Sequence, residues 1–214
     1  MADIDVKICG LTSVEAIEAA AEAGASHAGF VFFEKSPRHI RPREAPALVK
    51  HVPKDMKRVG VFVEPDDSLL ERAIAAARLD IVQLHGDERP ERLKSLKARL
   101  NVEIWKAIPV SAASDLERAK RYREDANLIL FDARTPKASR LPGGMGIAFD
   151  WKLLNRFNHR MPWALSGGLN AENVADALAI TGATMLDVSS GVESEPGIKD
   201  PAKISAFMEA VKAA

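Results

Sequence analysis

Along the chain, short runs of β-branched, aromatic and aliphatic residues alternate with longer stretches in which apolar positions recur every three or four residues. The short runs are "IDVKIC" from residue 4, "HAGFVFF" from 27, "RVGVFV" from 58, "DIVQLH" from 80, "EIWKAI" from 103, "NLILFD" from 127, "WALSG" from 163 and "TMLDVSS" from 184. Helical periodicity is clearest in "SVEAIEAAAEAG", "SLLERAIAAARL", "ERPERLKSLKARL", "SDLERAKRYRED", "NAENVADALAITG" and "PAKISAFMEAVKAA". Ser13, Asn170 and Asp200 suit helix N-caps, and Gly24 and Gly182 suit helix C-termini.

Strand alternating with helix throughout predicts a parallel sheet, because parallel neighbours need a crossover of about a dozen residues or more. Eight such units, at a spacing of roughly 20 to 30 residues, favour closure into a (β/α)8 TIM barrel over a doubly wound open sheet. No linker, composition shift or low-complexity tract divides the chain, so residues 1–214 read as a single domain. Two connections are long: residues 34–41, "EKSPRHIR", and residues 133–148, "ARTPKASRLPGGMGIA". Both leave the C-terminal ends of their strands, the face that carries active sites in such barrels, and long loops in a compact domain are usually functional.

Composition narrows the partners. Thirty Lys plus Arg balance thirty Asp plus Glu, so no net field recruits nucleic acid or an anionic membrane, and an anionic ligand must be held locally. One cysteine permits no internal disulfide, the N-terminus lacks the pattern of a secretory signal, and no apolar run is long enough for a membrane helix. These features point to the cytoplasm; the sequence does not reveal the oligomeric state, for which a monomer is slightly favoured. Five scattered histidines and one cysteine form no ligand-spaced metal cluster.

Strand alternation locates the candidate chemistry. In the first strand Asp5, Lys7 and Cys9 share one face and Ile4, Val6 and Ile8 the other; the apolar set suits the helices, so Cys9 belongs inside the barrel at its rim with Lys7 one layer below. Asp132 ends strand six, His85 ends strand four above Gln83, and Asp187 lies inward near the end of strand eight. Each has a bland alternative. A lone cysteine is most often a small buried hydrophobe, Asp132 suits a loop cap, His85 a backbone partner, and Asp187 an orienter of amides. Their common placement at one mouth argues for a site. Gly-rich turns add to it: "LSGGLN" after strand seven, "VSSGVE" after strand eight and "LPGGMG" after strand six. Backbone N–H groups in such turns cradle phosphate oxygens, and a phosphate site after strands seven and eight is frequent in barrels.

Taken in order, "KICGLT", "GFVFFEKSPRHI", "VGVFV", "VQLHGDE", "FDARTP", "GGMGIAFDW", "LSGGLNAENV" and "DVSSGVESEPGIKD" resemble the phosphoribosylanthranilate isomerase family of tryptophan biosynthesis over nearly the whole chain. The resemblance implies a (β/α)8 barrel, no metal and no organic cofactor. It also implies an Amadori rearrangement of N-(5-phosphoribosyl)anthranilate to 1-(2-carboxyphenylamino)-1-deoxyribulose 5-phosphate. It puts Cys9 in the place of the general base and Asp132 in that of the general acid. Arg38 matches the arginine that pairs with the anthranilate carboxylate, and His85 and Asp187 match groups lining the substrate. Ser166, Gly167, Gly168, Ser189, Ser190 and Gly191 match the phosphate cradle, together with Gly143, Gly144 and Gly146 of the loop after strand six. Two departures stand out: the loop after Asp132 is extended by "KASRLP", and Met145 replaces a usual Ser or Thr.

An ordinary thiol is about 3% ionised at pH 7 and an ordinary Asp about 0.1% protonated. The chemistry therefore predicts that burial and a neighbouring anion raise the Asp132 pKa. It predicts equally that a cation, with Lys7 as candidate, favours the Cys9 thiolate. Rival readings are a lysine-dependent indole-glycerol-phosphate synthase, for which Lys106 is available but the set is incomplete, a metal-dependent pentose-phosphate epimerase, and a non-catalytic sugar-phosphate sensor. The sensor would need neither Cys9 nor Asp132.

Overall fold

A computed structural model of the chain describes residues 4–133, 148–155, 157 and 161–214. Eight parallel strands close into a ring in sequence order: β1 (Asp5–Cys9), β2 (His27–Val31), β3 (Lys57–Phe62), β4 (Ile81–Leu84), β5 (Glu103–Val110), β6 (Leu128–Ala133), β7 (Trp163–Ser166) and β8 (Met185–Val188), with β8 pairing back onto β1. The expected (β/α)8 barrel is therefore the observed fold. Helices α1 (Val14–Glu22), α2 (Ala45–Val49), α3 (Asp67–Ala77), α4 (Pro90–Arg99), α5 (Ala113–Glu117), α6 (Lys152–Asn155), α7 (Val174–Thr181) and α8 (Pro201–Ala213) connect or follow them. Among the described residues no helix is long and apolar enough to cross a membrane.

Period-two alternation decides what each strand buries. Val59, Ile81, Trp105, Ala107, Leu128, Leu130, Ala164 and Met185 fill the barrel interior, while their sequence neighbours Val82, Ile104, Ile129 and Leu186 face the helices in the larger core. Above the interior layer Cys9 packs with Val31 and Val61, and Phe33 leans on them. Helix ends follow the capping chemistry. The Ser13 hydroxyl accepts from the Ala16 amide and the Asp200 carboxylate from those of Ala202 and Lys203. Asn170, expected as an N-cap, instead accepts from the amides of Glu172 and Asn173 in the turn before α7, whose N-cap is Asn173. Gly24 and Gly182 take the left-handed φ values, +90° and +62°, that end helices without a Cβ penalty.

Three features depart from the sequence reading. α2 and α6 are short helices that the hydrophobic period does not reveal, since five and four residues are too few to display it. The fifth helix is α5 followed by a tighter 3-10 turn, Arg118–Tyr122. Between β8 and α8 lies an antiparallel hairpin of β9 (Glu193–Glu195) and β10 (Ile198–Lys199). Its two-residue turn is Pro196-Gly197, with Gly197 at φ +90°, the geometry for which Pro-Gly is suited.

Candidate active site

At the C-terminal mouth of the ring, Cys9, Asp132, Ser166 and Asp187 all point inward and all are nearly buried, at 8%, 4%, 7% and 5% exposure. Beneath Cys9, Lys7 is fully buried and its Nζ donates to Asp187 Oδ1 at 2.7 Å; the second carboxylate oxygen accepts from Ser166 Oγ at 3.1 Å. Room for that lysine comes from Gly29, the register partner of Cys9 on β2. A Cβ there would lie 2.9 Å from Cys9 Cα and 3.2 Å from Lys7 Nζ. The ammonium thus rises to the level of the thiol.

Two forces act on that thiol. Burial among Val31, Val61 and Phe33 pushes its pKa up; Lys7 pulls it down, Asp187 pushes it up again, and the outcome is a thiol above its ordinary value. This corrects the expectation of a favoured thiolate: Lys7 is the right cation, but Asp187 already shares it. For Lys7 itself burial lowers the pKa, yet Asp187 and then Cys9 outweigh it and the net shift is upward.

Across the mouth, Asp132 Oδ1 accepts from the Ala133 amide at 2.9 Å and Oδ2 lies 3.3 Å from His85 Nε2. The titratable neighbour found for Asp132 is thus an imidazole, where the sequence led us to expect an anion. Gly167 approaches the same carboxylate: it sits at φ +92°, and a Cβ would fall 2.5 Å from the Ala133 nitrogen and 2.9 Å from Asp132 Oδ1. Gly168 follows at φ +68°. The turn after β8 abuts the turn after β7, since a Cβ on Gly191 would meet the Leu169 carbonyl oxygen at 1.9 Å. Ser189 Oγ donates to the Cys9 carbonyl at 3.0 Å. Ser190 opens the 3-10 turn Ser190–Val192.

Arg38 lies in the loop after β2 and is 5% exposed. Its Nε and Nη2 each reach a different oxygen of Glu193 at 2.7 Å, a bidentate fork. Lys199 Nζ donates to Glu193 Oε1 at 2.6 Å and to the Ser189 carbonyl at 3.0 Å. Burial works to raise the Glu193 pKa, but Arg38 and Lys199 together hold it below the ordinary carboxylate value. Burial depresses the Lys199 pKa despite this partner, because one carboxylate is shared between two cations. The hairpin that carries Glu193 packs on the same loop, with Pro37 O 2.6 Å from where a Gly197 Cβ would stand.

A model of the family described as N-(5'phosphoribosyl)anthranilate (PRA) isomerase matches residues 6–210. The chain belongs to this family. An N-(5'-phosphoribosyl)anthranilate isomerase of Zymomonas mobilis subsp. pomaceae is 51% identical over 210 residues, covering 98% of both chains. Another of Parvibaculum lavamentivorans is 50% identical over 213 residues, covering 99% of both. Among solved structures, phosphoribosyl anthranilate isomerase from Thermotoga maritima superposes with a TM-score of 0.89 at 39% identity, over 99% of this chain and 100% of that one. A phosphoribosyl anthranilate isomerase in complex with reduced 1-(o-carboxyphenylamino)-1-deoxyribulose 5-phosphate gives a TM-score of 0.86 at 37% identity, over the same shares.

Within the phosphoribosylanthranilate isomerase frame, the structure brings Cys9, Asp132, His85, Asp187, Ser166, Gly167, Gly168, Ser189, Ser190 and Gly191 to the ends of their strands at one mouth, with Arg38 anchored beside it. Gly143, Gly144, Met145 and Gly146 lie outside the described residues. Lys106, the residue a lysine-dependent rival would use, faces the helices, because its neighbours Trp105 and Ala107 occupy the interior. Among the described residues no group of three or more His, Cys, Asp and Glu side chains is placed to hold a metal. Glu193 and Lys199 escaped the sequence reading. The signal was present in "ESEPGIK", a Pro-Gly turn between residues that alternate in burial.

Proposed function

We propose that this chain performs the Amadori rearrangement for which its family is named, with Cys9 as general base and Asp132 as general acid. The observation that carries the assignment of roles is the opposed placement of these two groups, at the inner ends of β1 and β6, with the paired glycine turns closing the mouth between them. Asp132 protonates the furanose oxygen of N-(5-phosphoribosyl)anthranilate as the C1′–O bond breaks and the anilinic nitrogen lone pair forms the imine. Cys9 takes the C2′ proton, giving the enolamine, which tautomerises to the ketone.

His85, within 3.3 Å of Asp132, is suited to orient the acid. The amides of Gly167, Gly168 and Gly191 supply the phosphate cradle, Ser166 acts through Asp187, and Ser189 supports the Cys9 backbone. Arg38, set by Glu193, faces the anthranilate carboxylate. Asp187 governs the cation beneath the base as well as lining the site. On the same reading residues 1–214 work as one cytoplasmic domain. Among the described residues Ile198, at 55% exposure, is the large hydrophobic side chain left open to solvent, which supports a monomer.

The test supplies phosphoribosylanthranilate and follows the loss of its fluorescence. Wild type should turn it over, and Cys9→Ala and Asp132→Asn should each lose at least ~100-fold in kcat, the range for removing a general base or acid. An inactive wild type, or two fully active variants, would overturn the assignment.

A further inference from the structure

His85 touches the acid, yet it stands in a segment with no helix or strand to hold it: residues 85–89 follow β4 as irregular chain. Its own amide donates to Phe62 O at 2.8 Å, which fixes one point of the backbone and not the direction of the ring. What surrounds the segment is an ion pair on the far side of the barrel wall. Lys106 Nζ lies 3.0 Å from Glu88 Oε2, with side chains 2% and 4% exposed.

Every further hydrogen bond these two side chains make goes to backbone around His85 or to the neighbouring loop, and Lys106 Nζ also lies over the Tyr122 ring, 5.8 Å from its centroid. Lys106 Nζ donates to the carbonyl of Leu84 at 3.3 Å and to that of Gly86 at 2.6 Å, the residues on either side of the histidine. Glu88 Oε1 accepts from the Gly86 amide at 3.1 Å and from the Glu64 amide at 2.9 Å. The Glu88 carbonyl is held in turn by Tyr122 Oη at 2.9 Å. Gly86 leaves space for the carboxylate, since a Cβ there would lie 2.8 Å from Glu88 Oε1. Two charges buried together cost desolvation that a pair of apolar side chains would avoid. Bonds concentrated on the backbone flanking one side chain give this pair a geometric purpose.

We propose that the Lys106–Glu88 pair is a positioning device that sets His85 against Asp132 from outside the catalytic mouth. This rests on the reading of Asp132 as the acid. Neither residue touches substrate; both act through the turn that carries the imidazole.

A double-mutant cycle with Glu88→Gln and His85→Asn tests it, with kcat and KM measured on phosphoribosylanthranilate and folding followed by thermal melting. Misplacing a catalytic contact by about an ångström costs up to ~100-fold, so Glu88→Gln should lower kcat roughly 10- to 100-fold and change KM less than about threefold. In the His85→Asn background the same substitution should change kcat less than about twofold, because the positioned group is gone. An unchanged kcat in folded Glu88→Gln, or an equal loss in both backgrounds, overturns the proposal. Should Glu88→Gln not fold, the paired replacement Lys106→Met with Glu88→Leu removes both charges together. It should fold and show the same kcat loss, and full kcat in it overturns the proposal. If the wild type has no turnover the functional reading fails separately, and imidazole NMR then decides: Glu88→Gln must move the His85 ring resonances, and unmoved resonances refute the positioning role.

Discussion

Lys7 and Asp187 form a buried pair beneath Cys9, and replacing either member should change the reactivity of the thiol in opposite directions. The positions that flank Gly29 put Lys7 Nζ and Cys9 Cα within about 6 Å of each other. Taking ~6 Å as the separation of the Lys7 ammonium from a thiolate on Cys9, an effective dielectric of ~20 gives an attraction of about 3 kcal/mol, roughly a factor of 100 in the population of the thiolate. Lys7→Met removes that attraction and should slow alkylation of Cys9 by iodoacetamide near neutral pH about 100-fold. Asp187→Asn removes the repelling anion and releases Lys7 to the thiol, so alkylation should speed up, by about tenfold on the same arithmetic with a more distant charge. Both variants strand one buried charge, a loss on the order of 3–5 kcal/mol, so stability alone does not separate them. The assay is clean because Cys9 is the sole cysteine in the sequence: the alkylation rate is followed by mass spectrometry across pH 6 to 9. If both substitutions shift the rate in the same direction, or Lys7→Met reacts like wild type, the pair is structural packing and the electrostatic argument fails.

Glycine geometry and pH supply two further expectations. Gly167→Ala combines φ +92° with contacts of 2.5 Å to the Ala133 nitrogen and 2.9 Å to Asp132 Oδ1, so it should lower kcat and cost on the order of 1–3 kcal/mol. Gly182→Ala, also at positive φ but with nothing within 4 Å, should cost only about 1 kcal/mol and leave kcat intact; equal effects on kcat would refute the role given to the approach at Asp132. At the opposite end of the barrel, burial holds the His27 pKa below its ordinary value, with Ser26 Oγ 2.8 Å from Nδ1. The folded state then binds fewer protons than the unfolded chain, so stability falls as pH drops below ~6.5, by at most about 1.4 kcal/mol per pH unit for one group. Urea titrations at pH 7.5 and 5.5 should show that loss shrink in His27→Gln.

Much of the site is legible in the chain because inward facing is a local property. A period of two assigns Cys9, Asp132, His85 and Asp187 to the interior as soon as the strands are recognised, and strand ends before glycine turns mark the mouth. Helix caps at Ser13 and Asp200 are equally local. Short helices such as α2 fall below the length at which a period can be seen, and β9–β10 announces itself only by Pro196-Gly197.

What the sequence by itself determined is which residues face the barrel mouth; what the tertiary structure decided is the company they keep. Arg38 meets a carboxylate 155 positions away, Lys7 one 180 away, and Lys106 one on the loop after the preceding strand, 18 away. The members of each pair lie on different elements, so no strand or helix period relates them. The ionisation of Cys9 depends on them, because burial and Coulomb energies are set by distance through space and not along the chain. Hence the thiol that the sequence marked as poised to ionise has, in the folded protein, a pKa pushed above its ordinary value by burial and by the carboxylate that shares its lysine.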